Sequence, residues 1–275
     1  MLTAGALLLL YQAIRDPKSL KLAGGAWGTL ALLAIFNIYL TNAMEFWGLK
    51  YLTSFKTCFI YSLSPFMAAF LSYLILNETM TGKKWLGLAI GFTGFIPILM
   101  SHSGAEESLV VGNFLSLPEI AVMVAAVASS YGWILLRKLV TDGGYTAFTA
   151  NGYSMAAGGM LALIHSRLVE PWDPVPVTEV MPFITCTLVL IVISNVFAYN
   201  MYGWLLRRFT ATFMSFAGFS TPLIAALFGW LFLGEVITSS FFLSAAVVFV
   251  GLLIFYQEEL RHGVRVDDKA IEASS

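Results

Sequence analysis

Apolar residues along this chain fall in long runs cut by short polar connections, rather than in the alternation of a half-buried strand or the one-faced stripe of a soluble helix. A helix needs about 20 mainly apolar residues to cross the hydrocarbon of a bilayer. Eight runs have that character, at about 26–49, 53–76, 82–101, 116–139, 145–165, 180–206, 209–233 and 239–256. A ninth, residues 1–14, is shorter and is stopped by Arg15, Asp16 and Pro17. It does not read as a signal peptide, because no basic residues precede it and its charges follow it. The pattern predicts an all-α integral membrane protein with about nine spans.

The runs are not independent of one another. Ser64 to Glu78 reads SPFMAAFLSYLILNE and Thr221 to Glu235 reads TPLIAALFGWLFLGE. Pro222 follows Pro65, and Glu235 follows Glu78, by the same 157 residues. That shift also pairs Trp47 with Trp204, Thr53 with Thr210, Phe59 with Phe216, Phe92 with Phe249 and Gly94 with Gly251. Five crossings lie between the paired glutamates, an odd number, so the two copies have opposite orientation. Inverted-topology repeats are a recurrent construction of secondary transporters, in which two related halves exchange shapes. The repeats are expected at residues 1–101 and 113–258, with a tail at 259–275. Carrying the shift back from Asn113 places the start of the first repeat about 44 residues before Met1. A fragment or a misassigned start is therefore expected, with a real nine-span variant as the alternative.

Composition agrees with the pattern. The chain is 59% hydrophobic and 11% charged, against about 45–50% and about 25% in soluble domains. A net charge of −1 leaves no clustered basic surface for phosphate neutralisation, so no nucleic-acid partner is expected. Cys58 and Cys186 lie inside apolar runs and read as small reduced core residues. If the first short run ends inside, twelve of the fifteen Lys and Arg residues, Arg207 and Arg208 among them, fall on the cytoplasmic side. The C-terminus is then cytoplasmic. Trp27, Trp47, Trp85, Trp172 and Trp204 stand near run ends, as interfacial belts require.

The paired blocks, with Gly87, Gly94 and Gly251 following them, resemble the drug/metabolite transporter superfamily, specifically its EamA-type members of ten helices in two five-helix repeats. The chain departs from that pattern at Asn77, where Gly usually precedes the glutamate, at Ser244, the repeat mate of Gly87, and in lacking a first helix. The resemblance implies a helix bundle of two inverted five-helix repeats, with a small-molecule metabolite carried through a central cavity. It allows amino acids, nucleoside-like metabolites such as S-adenosylmethionine with S-adenosylhomocysteine, and cationic drugs as substrates. Membrane lipid is the other expected partner, the bacterial inner (plasma) membrane the expected location, and a homodimer is left open.

The membrane-embedded prolines Pro65 and Pro222 remove a backbone hydrogen bond and should kink their helices. Glu78 and Glu235, at the ends of those helices, should cap or tether the following turns, with a direct role in substrate or proton handling as the alternative. Gly87 with Gly91, and Gly24 with Gly28, make small-residue faces that permit close helix approach. Among polar groups, Asn37, Thr41 and Glu45 recur at intervals of four, with Asn42 beside them, and Asn195, Tyr199 and Tyr202 form a second stripe. The 157-residue shift carries Asn42 onto Tyr199 and Glu45 onto Tyr202.

A carboxylate inside a membrane run tends to mark a substrate or ion pathway. Glu45 either binds a cationic group or carries a proton, or it forms a fixed ion pair with Lys56, itself a candidate for a substrate contact. Trp133 and Ser130 on one run and Asn151 on the next are further candidates for a substrate contact, with packing and interhelical hydrogen bonding as the alternative. Glu119, after Pro118, reads as a first-turn partner of a helix dipole. His102, His165 and His262 have no second ligand at metal spacing, so no metal is expected. No cofactor motif occurs, and no constellation of an enzyme. The remaining alternative is a channel or a structural membrane protein.

Overall fold

The computed structural model describes residues 1–76, 80–100, 106, 109–111, 115–172, 177, 179–208, 218 and 220–272. Glu78 lies outside the described residues, as do Asn77 and most of the stretch before residue 220. The longer helices among the described residues are α1 (Leu2–Arg15), α2 (Ala26–Gly48), α3 (Ser54–Tyr61), α4 (Ser64–Leu76), α5 (Gly82–Gly94), α6 (Leu117–Thr141), α7 (Ala147–Val169), α8 (Val180–Leu205), α9 (Ser220–Leu233) and α10 (Ser239–Glu272). Among the described residues five segments are long and apolar enough to cross a membrane: Ala26–Gly48, Ser54–Ile75, Leu117–Thr141, Val180–Leu205 and Ser239–Glu258. Leu2–Arg15 and Ser220–Leu233 are shorter apolar helices.

Two compact units share the chain. The first comprises Met1–Met44 and Ala128–Met214, the second Glu45–Val127 and Ser215–Ser275. Each draws on both halves of the sequence.

In the first unit α1 lies on α7 at backbone distance. A Cβ on Gly5 would stand 2.4 Å from the Ala156 nitrogen, and one on Gly159 would stand 2.4 Å from the Leu2 nitrogen. Gly158 lets α2 approach in the same way, at Ile38 and the Ala34 carbonyl. Lipid tails are as apolar as leucine, so close packing of this kind, rather than exclusion from water, is what holds membrane helices together. Leu30, Leu33, Leu136, Leu139, Ala150 and Leu206 form the core between α2, α6, α7 and the end of α8. Along most of its length α8 is exposed, and Cys186 on it is exposed too, not a core residue as expected. A run that is apolar on every side gives no sequence signal of which side is packed.

In the second unit α5 and α10 meet through glycines. A Cβ on Gly251 would stand 2.5 Å from the Gly91 nitrogen and 2.7 Å from the Gly87 carbonyl oxygen. Gly87 and Gly91 therefore serve packing within the chain. The matching expectation for Gly24 and Gly28 is not met, since among the described residues nothing lies within 4 Å of a Cβ at either. Phe59, Phe95 and Phe241 centre the core, with ring centroids 5.0 Å apart for Phe59–Phe95 and 5.7 Å for Phe59–Phe241. The unit also holds a short antiparallel pair, Val110–Val111 with Leu115–Ser116, that the hydropathy pattern did not predict.

Two departures from regular helix matter for the site. The run 53–76 is broken at Ser62 and Leu63, whose amides bond three residues back, and Pro65 is the second residue of the helix that resumes. A proline there forfeits no helical hydrogen bond. Within α2 and α8, wide π-type turns occupy Ala34–Leu40 and Leu190–Ala198, segments that the 157-residue shift superimposes to within a residue. Insertions of this kind concentrate at functional positions of helices.

Candidate functional site

The two wide turns free backbone carbonyls, and polar side chains on the next turn take them up. The Thr41 hydroxyl donates to the Phe36 carbonyl at 2.7 Å, and the Asn42 amide to the Ile38 carbonyl at 2.7 Å. On α8 the Asn200 amide donates to the Val196 carbonyl at 2.8 Å. Asn42, expected to contact substrate, thus spends its amide nitrogen on its own helix. Backbone groups with no water to turn to must be satisfied from within, which is why a hydroxyl or an amide follows each wide turn.

Around these turns the first unit gathers most of the polar and aromatic candidates. Trp133 on α6 stacks on Tyr202 of α8, with centroids 4.1 Å apart and 36° between the planes, and on Tyr199 at 5.1 Å and 42°. Asn151 on α7 donates to the Asn200 side-chain oxygen at 3.1 Å and to the Tyr199 carbonyl at 3.2 Å. Asn37 on α2 is fully buried against Gly132, the neighbour of Trp133. Neither polar atom of its amide has a hydrogen-bond partner among the described residues. An amide buried without partners costs about 1–3 kcal/mol, so one held in a wide turn is a candidate for contact with something other than protein. Asn195, in the wide turn of α8, is also buried.

The second unit holds the charged candidates. Glu45, at the last turn of α2, accepts a hydrogen bond from the Tyr61 hydroxyl at 2.8 Å. The ion pairs shown for Lys56 are not with Glu45. Its ammonium lies 2.8 Å from a carboxylate oxygen of Glu106 and 2.8 Å from one of Glu119, with all three side chains at most 5% exposed. Ser116 completes the cluster: its hydroxyl donates to Glu106 at 2.9 Å and accepts from the Glu119 amide at 3.3 Å, while the Ser116 amide donates to the Glu119 carboxylate at 2.7 Å. Ser116 and Glu119 thereby form a reciprocal capping box at the start of α6, and the first-turn place expected for Glu119 is the place it takes. Glu235 follows Gly234, which ends α9 in the left-handed region at φ 67°. The Glu235 carboxylate reaches the first residue of α3, accepting from the Ser54 amide at 2.8 Å. Pro222 is buried in the first turn of α9.

Sequence reasoning missed three members of these groups. Asn200 stands five residues after Asn195, outside the stripe counted for α8. Tyr61 lies on the next helix from Glu45, and Glu106 is in a connection that reads only as a polar loop. None carries a signal without the packing that brings it to its partner. Among the described residues no group of three metal-binding side chains comes together.

A model of the EamA-like transporter family matches residues 1–100 and 116–257. The chain belongs to the EamA-like transporter family. It is accordingly a transporter and an integral, multi-pass, all-α membrane protein. Among EamA-type relatives, an S-adenosylmethionine/S-adenosylhomocysteine transporter of Chlamydia trachomatis serovar L2 is 41% identical over 90% of this chain and 75% of its own length. The transporter of the same name from Chlamydia muridarum is 40% identical over 94% of this chain and 80% of its own. Protein PecM of Dickeya dadantii is 26% identical over 92% and 79%. A crystal structure aligns with a TM-score of 0.65 over 91% of this chain and 82% of its own at 15% identity, a likeness of fold.

Proposed function

We propose that this EamA-family protein exchanges S-adenosylmethionine and S-adenosylhomocysteine across the bacterial inner membrane by alternating access. The observation that carries the reading is identity of 41% and 40%, over nine-tenths of the chain, with the two chlamydial transporters of that name. The site chemistry of the first unit supports it. Trp133, Tyr199 and Tyr202 offer a stacking surface of the kind that holds a purine ring, and their faces attract a sulfonium or ammonium cation. Asn37 and Asn195 supply amides for the edge of the base, and Asn151, whose amide nitrogen is taken up by Asn200 and the Tyr199 carbonyl, supplies its side-chain oxygen. In the second unit Glu45, whose carboxylate accepts the Tyr61 hydroxyl hydrogen bond, is assigned a coupled proton or the binding of a cationic group.

The proposed scaffold is two inverted repeats, 1–101 and 113–258, with a cytoplasmic tail at 259–275. The 157-residue register, which brings the wide turns of α2 and α8 into correspondence, supports it. The basic residues that close several runs support a cytoplasmic C-terminus.

The test is counterflow. Proteoliposomes holding unlabelled S-adenosylhomocysteine should take up labelled S-adenosylmethionine faster than empty ones, with saturation. Saturable counterflow of amino acids or organic cations in its place would overturn the substrate assignment. Entry without saturation or acceleration would mean a channel.

A further inference from the structure

Two cavities open on the first unit and share a wall. One, of about 360 Å³, lies where the ends of α1 and α8 meet the start of α7, and its polar lining includes Gln12, Arg15, Asp16, Asn200 and Arg207. The other, of about 350 Å³, is lined by Leu7, Leu8, Ile191, Val192 and Val196. Tyr11 and Phe148 line both. The two are parts of one amphipathic groove.

Its walls are stripes. On α8 the lining passes from Val192 through Val196, Asn200 and Trp204 to Arg207, and on α1 from Leu8 through Tyr11 and Gln12 to Arg15, in steps that keep one helix face. Both helices turn from apolar to charged in the same chain direction. From Val192 to Arg207 the rise is about 22 Å at 1.5 Å per residue, enough to run from an interface past the middle of a hydrocarbon core about 30 Å thick.

At the charged end the two guanidinium groups are braced. Arg207 donates from Nη2 to the Tyr145 carbonyl at 2.7 Å, and Arg15 donates to the Tyr11 hydroxyl. Each keeps further N–H donors in a fork that suits phosphate oxygens. A polar metabolite would leave the apolar half of the groove unused, and an acyl chain alone would have no use for two arginines.

We infer that the first unit carries a binding site for one glycerophospholipid. The phosphodiester lies at Arg15 and Arg207, the glycerol backbone near Gln12 and Asn200, and one acyl chain along Leu8, Val192 and Val196. Asp16, lining the same cavity, accepts a hydrogen bond from the group beyond the phosphate. An ethanolamine ammonium or a glycerol hydroxyl can donate that bond; a choline cannot. The site is therefore selective for phosphatidylethanolamine and phosphatidylglycerol over phosphatidylcholine.

The test is native mass spectrometry of the delipidated full chain titrated with each of the three lipids, with the unfolding midpoint without lipid recorded for every variant. The ethanolamine and glycerol lipids should bind at one site, and phosphatidylcholine several-fold more weakly. The variant R15Q/R207Q should lose about tenfold in affinity, as should V192W/V196W, which fills the groove and leaves the arginines in place. L188W, an exposed substitution elsewhere on α8, should change nothing. Equal binding of phosphatidylcholine would overturn the headgroup assignment. Loss in R15Q/R207Q alone, with inorganic phosphate competing, would mean a soluble anion and overturn the lipid assignment.

Discussion

The Glu235 carboxylate caps a helix that begins 181 residues earlier, accepting the Ser54 amide hydrogen bond at 2.8 Å. The first amides of a helix have no partner within it, and a carboxylate there also meets the positive end of the helix dipole. Glu235→Ala should cost about 1–2 kcal/mol, and Glu235→Gln, which keeps an acceptor, less. Equilibrium unfolding in mixed detergent measures both. Equal stability of all three proteins would show that the bond contributes nothing.

Lys56 is the common partner of two buried carboxylates. Removing one member of a buried ion cluster strands the others, at a cost of about 3–5 kcal/mol. Lys56→Met should therefore unfold or sharply destabilise the second unit, and adding Glu106→Gln and Glu119→Gln should restore much of the loss. The readout is the folded fraction on extraction. Additive losses across the series would rule out the coupling that the geometry implies.

Gly251 marks the closest approach of α5 and α10. Valine there must displace the Gly87 and Gly91 backbone, which cannot yield as a side chain does, so Gly251→Val should destabilise by about 1–3 kcal/mol. Gly28→Val, with open space at its Cβ, should be tolerated. The comparison of unfolding midpoints tests packing against a general intolerance of β-branching in these helices.

Trp133 offers its ring to Tyr199 and Tyr202. If the adenine base stacks on these rings, Trp133→Ala should lose about 1–3 kcal/mol of base stacking, a rise of about 5- to 150-fold in the KM for S-adenosylmethionine. Trp133→Phe should lose less. Unchanged KM in the alanine variant, with normal extraction and folding, would remove the rings from the substrate site.

Glu45 is tested through pH. Under the proposed proton-coupled role, Glu45→Gln should flatten the pH dependence of counterflow, while Tyr61→Phe, which removes only the hydroxyl held at 2.8 Å, should alter the dependence without abolishing it. A Glu45→Gln protein with an unaltered pH profile would exclude the proton role and leave the cation-binding one.

The sequence by itself determined that the chain is a set of apolar helices, roughly where each lies, and that a 157-residue register relates them. Membrane-length runs and a recurring proline–glutamate block are properties of linear order, set by bilayer thickness and backbone hydrogen bonding. It also placed Asn37, Tyr199 and Tyr202 among the candidates, because they recur with other polar groups at helical spacing, and Trp133 and Asn151 as single polar or aromatic residues within apolar runs. Only the tertiary structure decided which partner each group has. Lys56 lay open to Glu45 in the sequence and is bound to Glu106 and Glu119 in the fold. Gly24 and Gly28 have the spacing of Gly87 and Gly91, yet among the described residues only the second pair meets a neighbouring helix. A helix apolar on every side does not encode which face is packed, and a charge does not encode which of several opposite charges it reaches. Both depend on how helices distant in sequence are set side by side.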